Sequence, residues 1–351
     1  MARVPWLFVF ASCAMPRPHA PTATDRIAIV AAERGPQGIR LVAIDEHGDR
    51  QFELVTPPDS ITRDSNPALS PDGRWMVFAS TRGRALDVTS LWIAPLAFEA
   101  TPRRLTDVGI DSHPAWTHDG RAIVFASTRD GGDFDLWHLA IDGEGRPGAL
   151  TQLTTGVDHE VTPTIAPDGT IVYASVTRTP DGEVASRLEE RAPDGTIRVL
   201  TAGPADSSPA LSPDGTSLVF ARPAMHLGTP HSELWLMARN SELAQQLVVL
   251  PLTDESGPVW SPDGRFVFAT SVWRGVTGKT LFSSIIHVDV REPQRRARIL
   301  GDHAGPVARL TPAIAVRGLD VAALHDDPEY LPELARIMAG KIAEQRSEGT
   351  R

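Results

Sequence analysis

The sequence predicts an all-β fold: a six-bladed β-propeller of four-stranded antiparallel blades, followed by a short C-terminal helix. Three observations predict it. An aspartate recurs every 47 or 48 residues, a Pro-Asp-Gly turn follows at a fixed place, and each chain end holds part of one further unit. A repeat of this length is typical of propeller blades. The recurring residues are Asp64, Asp111, Asp158, Asp206, Asp254 and Asp302.

Each unit opens with a short apolar stretch that ends in a tight turn. The first unit reads Asp-Ser-Asn-Pro-Ala-Leu-Ser-Pro-Asp-Gly over 64–73, and Pro-Asp-Gly returns at 167–169, 213–215 and 262–264. In the second unit His118 replaces the turn proline. Proline presets φ, aspartate bonds its own backbone and glycine accepts positive φ. The motif therefore predicts a hairpin at the same place in each unit.

The second half of each unit predicts two more strands. Leu-Trp recurs at 91–92, 136–137 and 234–235 within alternating apolar runs. Alternation and β-branched content favour strands over helices, and four short strands are the content of one blade. The recurring tryptophans suit either a sugar-stacking platform or packing between blades. Their register favours packing.

The two chain ends together predict one closing blade. Residues 27–32, 39–45 and 52–56 match the second, third and fourth strands of a unit, whereas the unit that begins at Asp302 has one strand candidate, at 313–316. A blade made from both ends removes open sheet edges. We therefore expect a single propeller domain over residues 26–324.

The last segment, 325–351, is expected to form a helix and a tail. Its apolar residues are spaced along one helical face, which either packs on the propeller or docks a partner. They are Leu331, Leu334, Ile337, Met338 and Ile342.

The N-terminus resembles an export signal with a lipid attachment site. An apolar segment at 6–12 ends at Cys13, the single cysteine of the chain. This resembles the lipobox of bacterial lipoproteins, although Phe10 stands where leucine is usual. The resemblance implies a signal peptide over 1–12, a lipid-anchored tether over 13–25 and a periplasmic location. A plain secretory signal and a cytosolic protein with an apolar N-terminus are the alternatives.

Composition narrows the classes of partner. The net charge is −10, and no basic stripe alternates with aromatic residues, so nucleic acid is not an expected partner. No apolar run is long enough to span a bilayer as a helix, so a membrane contact is expected only through the lipid. A single cysteine allows no intrachain disulfide. We expect a monomer that binds a protein or peptide.

The repeat resembles the propeller repeat of the TolB family. The resemblance lies in Pro-Ala-Leu-Ser-Pro-Asp-Gly at 67–73, Pro-Ala-Trp-Thr-His-Asp-Gly at 114–120, the Phe-Ala-Ser strands and the Leu-Trp strands. It covers about residues 26–316 and implies the fold. The same repeat occurs in peptidase propellers, lyases and uncharacterised envelope proteins, so it does not imply TolB's own role. TolB also carries an α/β domain before its propeller, whereas about 25 residues precede it here.

The loops that open the units predict a ligand site at one mouth of the central channel. The strand after each loop is expected to be innermost, so the recurring aspartates would form an acidic ring able to hold a divalent cation or a cationic segment. Alternatively, each aspartate caps its own loop. The residues that break the repeat are the better candidates, and they are His113, His159, Glu160 and His303. The predicted set is Asn66, Asp111, His113, Asp158, His159, Glu160 and His303.

The leading functional interpretation is a non-enzymatic envelope propeller that binds a partner on one face of the ring, without a cofactor. The alternative is a propeller hydrolase or polysaccharide lyase with a divalent metal at the channel mouth. A third possibility is a retained fold without activity. No nucleophile–base signature and no paired-cysteine metal motif occurs in the sequence.

Overall fold

The protein is all-β wherever the computed structural model describes it. The described residues are 27–35, 38–44, 51–56, 60–178, 181–226, 229–248, 250, 253–274, 280–292, 297–299 and 308–314. They contain strands and turns, with no helix among them and hence none long and apolar enough to cross a membrane. The predicted signal peptide, tether and C-terminal helix lie outside the described residues, as do Cys13, Asp302 and His303.

The strands follow one another as hairpins along the chain. The first twelve are β1 (Ile29–Gly35), β2 (Gly38–Ile44), β3 (Gln51–Glu53), β4 (Thr62–Leu69), β5 (Trp75–Ser80), β6 (Ser90–Pro95), β7 (Arg103–Arg104), β8 (Asp111–Trp116), β9 (Ala122–Ser127), β10 (Asp135–Ile141), β11 (Pro147–Gln152) and β12 (His159–Ile165). The others are β13 (Ile171–Arg178), β14 (Val184–Arg191), β15 (Ile197–Val199), β16 (Ser207–Leu211), β17 (Ser217–His226), β18 (Thr229–Ala238), β19 (Ala244–Gln246), β20 (Thr253–Trp260), β21 (Phe266–Arg274), β22 (Thr280–Asp289), β23 (Ala297–Ile299) and β24 (Ala308–Ile314).

Four separate sheets each consist of four consecutive antiparallel strands. They are β8–β11, β12–β15, β16–β19 and β20–β23. The first strands of successive units contact one another in a closed circle, in the order β4, β8, β12, β16, β20, β24 and back to β4. This arrangement of radial sheets around inner strands is that of a β-propeller.

The remaining sheet has eight strands, which corrects the prediction of six separate blades. It joins β24, β1, β2 and β3 to β4–β7, because β2 pairs in parallel with β4 through Gly38↔Thr62 and Ile39↔Arg63. Gly38 permits this approach: its φ is +115°, and a Cβ there would lie 1.9 Å from the Thr62 carbonyl oxygen. The structure thus has four separate four-stranded sheets and one double sheet.

The two ends of the described chain meet in the double sheet. β24 pairs antiparallel with β1, with Val30 opposite Ala313, and β1 pairs with β2. The prediction that both chain ends complete one unit is therefore confirmed. The closing strand begins at Ala308, five residues before the predicted start at 313.

The hydrophobic core lies between neighbouring sheets. An aromatic side chain on the second strand of each of five units is fully buried, and burial of one such ring contributes roughly 1.5–3 kcal/mol. These are Phe78, Phe125, Tyr173, Phe220 and Phe268. Trp116 and Trp260 donate their Nε1 hydrogens to the carbonyls of Ala68 and Ala210 in neighbouring units, at 3.1 and 3.0 Å. These two tryptophans therefore pack between units.

Candidate functional site

Every first strand contains a β-bulge in front of a proline. The pairing with the second strand shifts by one residue at this point. Proline cannot donate to the ladder, so an X-Pro pair within a strand favours such a bulge. The residues before the prolines have φ between 45° and 57°; they are Asn66, His113, Thr162, Ser208, Gly257 and Thr311. One bulge at the same place in each unit gives the centre of the ring a repeated lining.

The bulges line a central cavity of about 560 Å³. Sites for small ligands usually span roughly 300–1,000 Å³, so this volume suits a ligand or a short peptide segment. In each first strand, the lining extends from the bulge toward the turn that follows. Its polar side chains include Asn66, His113, Thr162, Ser208 and Thr311, whereas Leu69, Ile165 and Trp260 add apolar surface. No aspartate, glutamate, lysine or arginine lines the cavity among the described residues.

His113 presents a neutral imidazole to this cavity. Burial lowers the pKa of His113 to about 4, so the ring carries no charge at neutral pH. Its Nδ1 lies 3.0 Å from the hydroxyl oxygen of Ser112. A neutral imidazole both donates and accepts a hydrogen bond, which suits an uncharged polar ligand.

The acid that lies two residues before a bulge does not line the cavity. Asp64, Asp111 and Asp206 are buried, and each is paired with an arginine of its own sheet. The ion pairs, with their N–O distances, are Asp64–Arg82 at 2.6 Å, Asp111–Arg129 at 2.8 Å and Asp206–Arg222 at 2.7 Å. The structure places these carboxylates inside the sheets, where they hold an arginine, and not in the channel lining.

In the third and fifth units, the acidic residue two positions before the bulge is a glutamate and not the recurring aspartate. Glu160, and not Asp158, lies two residues before the bulge at Thr162. Glu255 likewise lies two residues before the bulge at Gly257. Strand pairing agrees: Glu160 lies opposite Ser175 and Glu255 opposite Ser271, as Asp64 lies opposite Ser80 and Asp111 opposite Ser127. Sequence reasoning missed Glu255, although its spacing to the Gly-Pro pair could have identified it.

Glu160 and Glu255 differ from the other acids because neither has an arginine partner among the described residues. Burial raises the pKa of both to about 7. Glu160 accepts a hydrogen bond from the Thr154 hydroxyl at 3.1 Å, and the carboxylates of Asp135, Glu189 and Asp158 also raise its pKa. Glu255 accepts one from the Ser271 hydroxyl at 3.0 Å, and its buried Oε2 has no hydrogen-bond partner among the described residues. These two carboxyl groups titrate near neutral pH.

Only part of the predicted site lines the central cavity. Asn66 and His113 line the cavity, whereas Asp111, Asp158, His159 and Glu160 do not. Asp158 bonds the Thr177 hydroxyl at 2.7 Å and pairs with Arg187 of the same sheet, and His159 Nδ1 accepts the backbone N–H of Phe134 at 3.1 Å. Among the described residues, no three His, Cys, Asp or Glu side chains are arranged to hold a metal ion.

The radial sheets around inner strands define the molecule as a β-propeller. Its central cavity is suited to binding an uncharged ligand. The chain belongs to the TolB beta propeller domain family, whose model matches residues 18–264. No curated protein matches the chain.

Solved propellers share the fold at low sequence identity. TolB from Acinetobacter baumannii superposes with a TM-score of 0.61 at 17% identity, over 82% of this chain and 66% of that one. A putative TolB from Agrobacterium tumefaciens gives 0.55 at 16% identity, over 81% and 96%. An oligogalacturonate lyase in complex with manganese gives 0.51 at 15% identity, over 73% and 71%. These likenesses show the fold alone.

Proposed function

We propose that this chain is a non-enzymatic binding propeller of the bacterial envelope, which takes an uncharged segment of a partner protein or peptide into its central cavity. The observation that carries this proposal is the lining. Amide, imidazole and hydroxyl groups surround the cavity, and no carboxylate, ammonium or guanidinium group lies among its described lining residues, so the lining matches peptide groups better than an ion. Membership of the TolB propeller family supports a protein partner.

We infer that the ring has six blades, of which the first and the closing blade share the double sheet. The closed circle of six first strands supports this count. Each half of the double sheet is a four-stranded antiparallel unit, and among the described residues the halves are joined by two residue pairs of β2 with β4 and by one isolated bridge between Val55 and Ala100. An experimental structure that shows fewer radial sheets around the cavity would contradict the count.

A substitution that fills the central cavity tests the proposed binding site. Ala115 lines the cavity, and we expect Ala115→Phe to abolish crosslinking to the partner in envelope extracts, as read by mass spectrometry. Ala97→Phe is the matched control, because Ala97 is exposed on a turn outside the cavity. Equal crosslinking of both variants and the native protein would place binding elsewhere.

The proposal includes anchoring through an acylated Cys13 in the periplasm. Mass spectrometry of the mature N-terminus tests it directly. We expect a lipid-modified cysteine as the first residue, and a Cys13→Ser variant that leaves the membrane fraction. An intact, unmodified Met1 in the native protein would contradict the proposed anchor.

The second candidate is a polysaccharide lyase or hydrolase with a divalent metal. Two histidines, His113 and His118, line the cavity, and an oligogalacturonate lyase shares the fold. Incubation with oligogalacturonate and manganese tests this candidate through the absorbance of unsaturated products. Activity that is lost in His113→Ala would favour the enzyme over the binding propeller.

A further inference from the structure

Six exposed large hydrophobic side chains lie at one end of the ring. Because strands alternate in direction, the loops before the first strands and those between second and third strands share this end. Backbone hydrogen bonds join the two kinds of loop: Asp111 N–H donates to Thr89 and Glu160 N–H donates to Phe134, at 3.0 and 2.6 Å. The exposed side chains are Ile61, Leu86, Val108, Val157, Val184 and Met225.

Three of these side chains occupy the same position in successive units. Ile61, Val108 and Val157 each lie three residues before the buried acid of their unit, and they are 60%, 55% and 91% exposed. Single exposed aliphatic residues are ordinary on protein surfaces, whereas several of them at one end of a fold favour an interaction site there.

The loops of the second and third units add negative charge to the same end. The segments 107–110, 128–134, 155–158 and 181–184 carry six carboxylates and one arginine. That arginine, Arg129, is bonded to the buried Asp111. The carboxylates are Asp107, Asp130, Asp133, Asp158, Asp181 and Glu183. Arg178 and Arg187 border these segments, and Arg187 pairs with Asp158, so six carboxylates and three arginines leave a net charge of −3. The potential over these loops is therefore negative.

We propose that these four segments form an acidic loop face that docks a segment of a partner protein bearing aliphatic and basic side chains. Val108, Val157 and Val184 supply the apolar contact, and the carboxylates select basic residues over acidic ones. This surface is separate from the central cavity, whose lining begins beyond the acids. A second copy of the chain is disfavoured as occupant, because the net charge is −10 and two such faces repel each other.

A pair of synthetic peptides tests the charge preference. The probe is a fluorescein-labelled peptide of four Leu-Lys-Lys-Leu repeats, and its counterpart has glutamate in place of lysine. By fluorescence anisotropy, we expect the lysine peptide to bind at least about tenfold more tightly, with an affinity that falls as salt rises. Equal affinities, or no binding of the lysine peptide, would overturn the proposal.

Substitutions locate the binding on this face. We expect Val108→Ser with Val157→Ser to weaken binding of the lysine peptide about tenfold, and Asp107→Asn with Asp130→Asn to flatten its salt dependence. Leu243→Ser is the control, because Leu243 is 83% exposed on a loop at the opposite end of its sheet. Circular dichroism verifies folding of each variant. Unchanged binding in both double variants would contradict the proposal. A dimer that is seen in sedimentation and dissociates only in a Val157→Ser variant would also contradict it, because this face would then bind a second copy of the chain.

Discussion

Arg129 donates a hydrogen bond of 2.8 Å from its Nη2 to Oδ1 of Asp111, the first residue of β8. The guanidinium also lies over the rings of Phe125 and Trp137, at 5.0 and 5.1 Å from their centroids. One side chain thus joins the first, second and third strands of the sheet. The same arrangement returns in the fourth unit, where Arg222 pairs with Asp206. The recurring acid therefore serves the sheet in which it lies.

Removal of this acid is expected to destabilise the protein strongly. Asp111→Asn keeps the shape but leaves Arg129 as a buried charge without its partner, so we expect a loss of about 3 kcal/mol in the free energy of unfolding. Urea denaturation measures it. Asp107→Asn, four residues earlier and exposed, is the control and should change stability by less than about 0.5 kcal/mol. Similar effects of the two substitutions would argue against the structural role of the pair.

Glu255 is expected to make stability depend on pH around neutrality. Its pKa in the folded protein is about 7, above its ordinary value of 4.5, so the folded state binds this proton more tightly. The contribution to stability is complete below about pH 4.5 and is lost as the pH rises to about 7. Glu255→Gln should therefore gain up to about 3 kcal/mol over the native protein at pH 8.

Denaturation curves at several pH values measure the difference between Glu255→Gln and the native protein. Glu160 contributes a pH dependence of the same direction to both proteins, since its pKa is also about 7. The exposed Glu242 provides a control, and Glu242→Gln should leave the pH profile unchanged. A difference that does not vary between pH 4.5 and 8 would contradict the raised pKa of Glu255.

Gly38 is expected to be essential for the double sheet. A Cβ at this position would meet the Thr62 carbonyl oxygen, and its φ of +115° is unfavourable for other residues. We expect Gly38→Ala to lower the free energy of unfolding by about 3 kcal/mol. Gly35→Ala lies across the same hairpin, where a Cβ would meet only the flexible Arg40 side chain at 3.3 Å. The melting temperatures of the two variants should differ clearly, and equal values would contradict the close contact of β2 with β4.

Thr162 is expected to be a strained residue at its bulge. It is β-branched, yet its φ is 53°, and within the described part of the chain its buried hydroxyl oxygen has no hydrogen-bond partner. Asparagine tolerates this conformation and occurs at the equivalent Asn66, so Thr162→Asn should gain about 1 kcal/mol in stability. Chemical denaturation measures it, with the exposed Thr155→Asn as the control. A loss of stability in Thr162→Asn would contradict the predicted strain and would show that packing of the threonine side chain stabilises the bulge.

A crosslink tests closure of the ring by the two chain ends. Val30 and Ala313 are buried partners on β1 and β24, at a spacing that suits a disulfide between antiparallel strands. In a Cys13→Ser background, Val30→Cys with Ala313→Cys should form an intramolecular disulfide on mild oxidation. Thiol titration and a shift in electrophoretic mobility measure it, and Val30→Cys alone should retain its free thiol. Failure to crosslink would contradict the pairing of β1 with β24.

Much of the architecture could be predicted from periodicity, because turn motifs and apolar alternation are local properties of the chain. The hairpins at Pro-Asp-Gly and the use of both ends in one unit follow from such patterns. The site could be predicted less well. Asn66 and His113 could be predicted because both lie where a unit opens, and His113 also breaks the repeat. The spacing of the aspartates does not point to Glu255, whereas its distance from the X-Pro bulge does.

The sequence by itself determined the repeated β-unit, its turns and the complementary ends, since each depends on residues close together along the chain. The tertiary structure decided where the side chains point and which sheets merge. The Asp111 carboxylate could face either the channel or its own sheet, and only the position of Arg129, 18 residues further on, placed it in the sheet. The fusion of β2 with β4 likewise depends on the approach of Gly38 to Thr62, a contact between strands that no local pattern encodes.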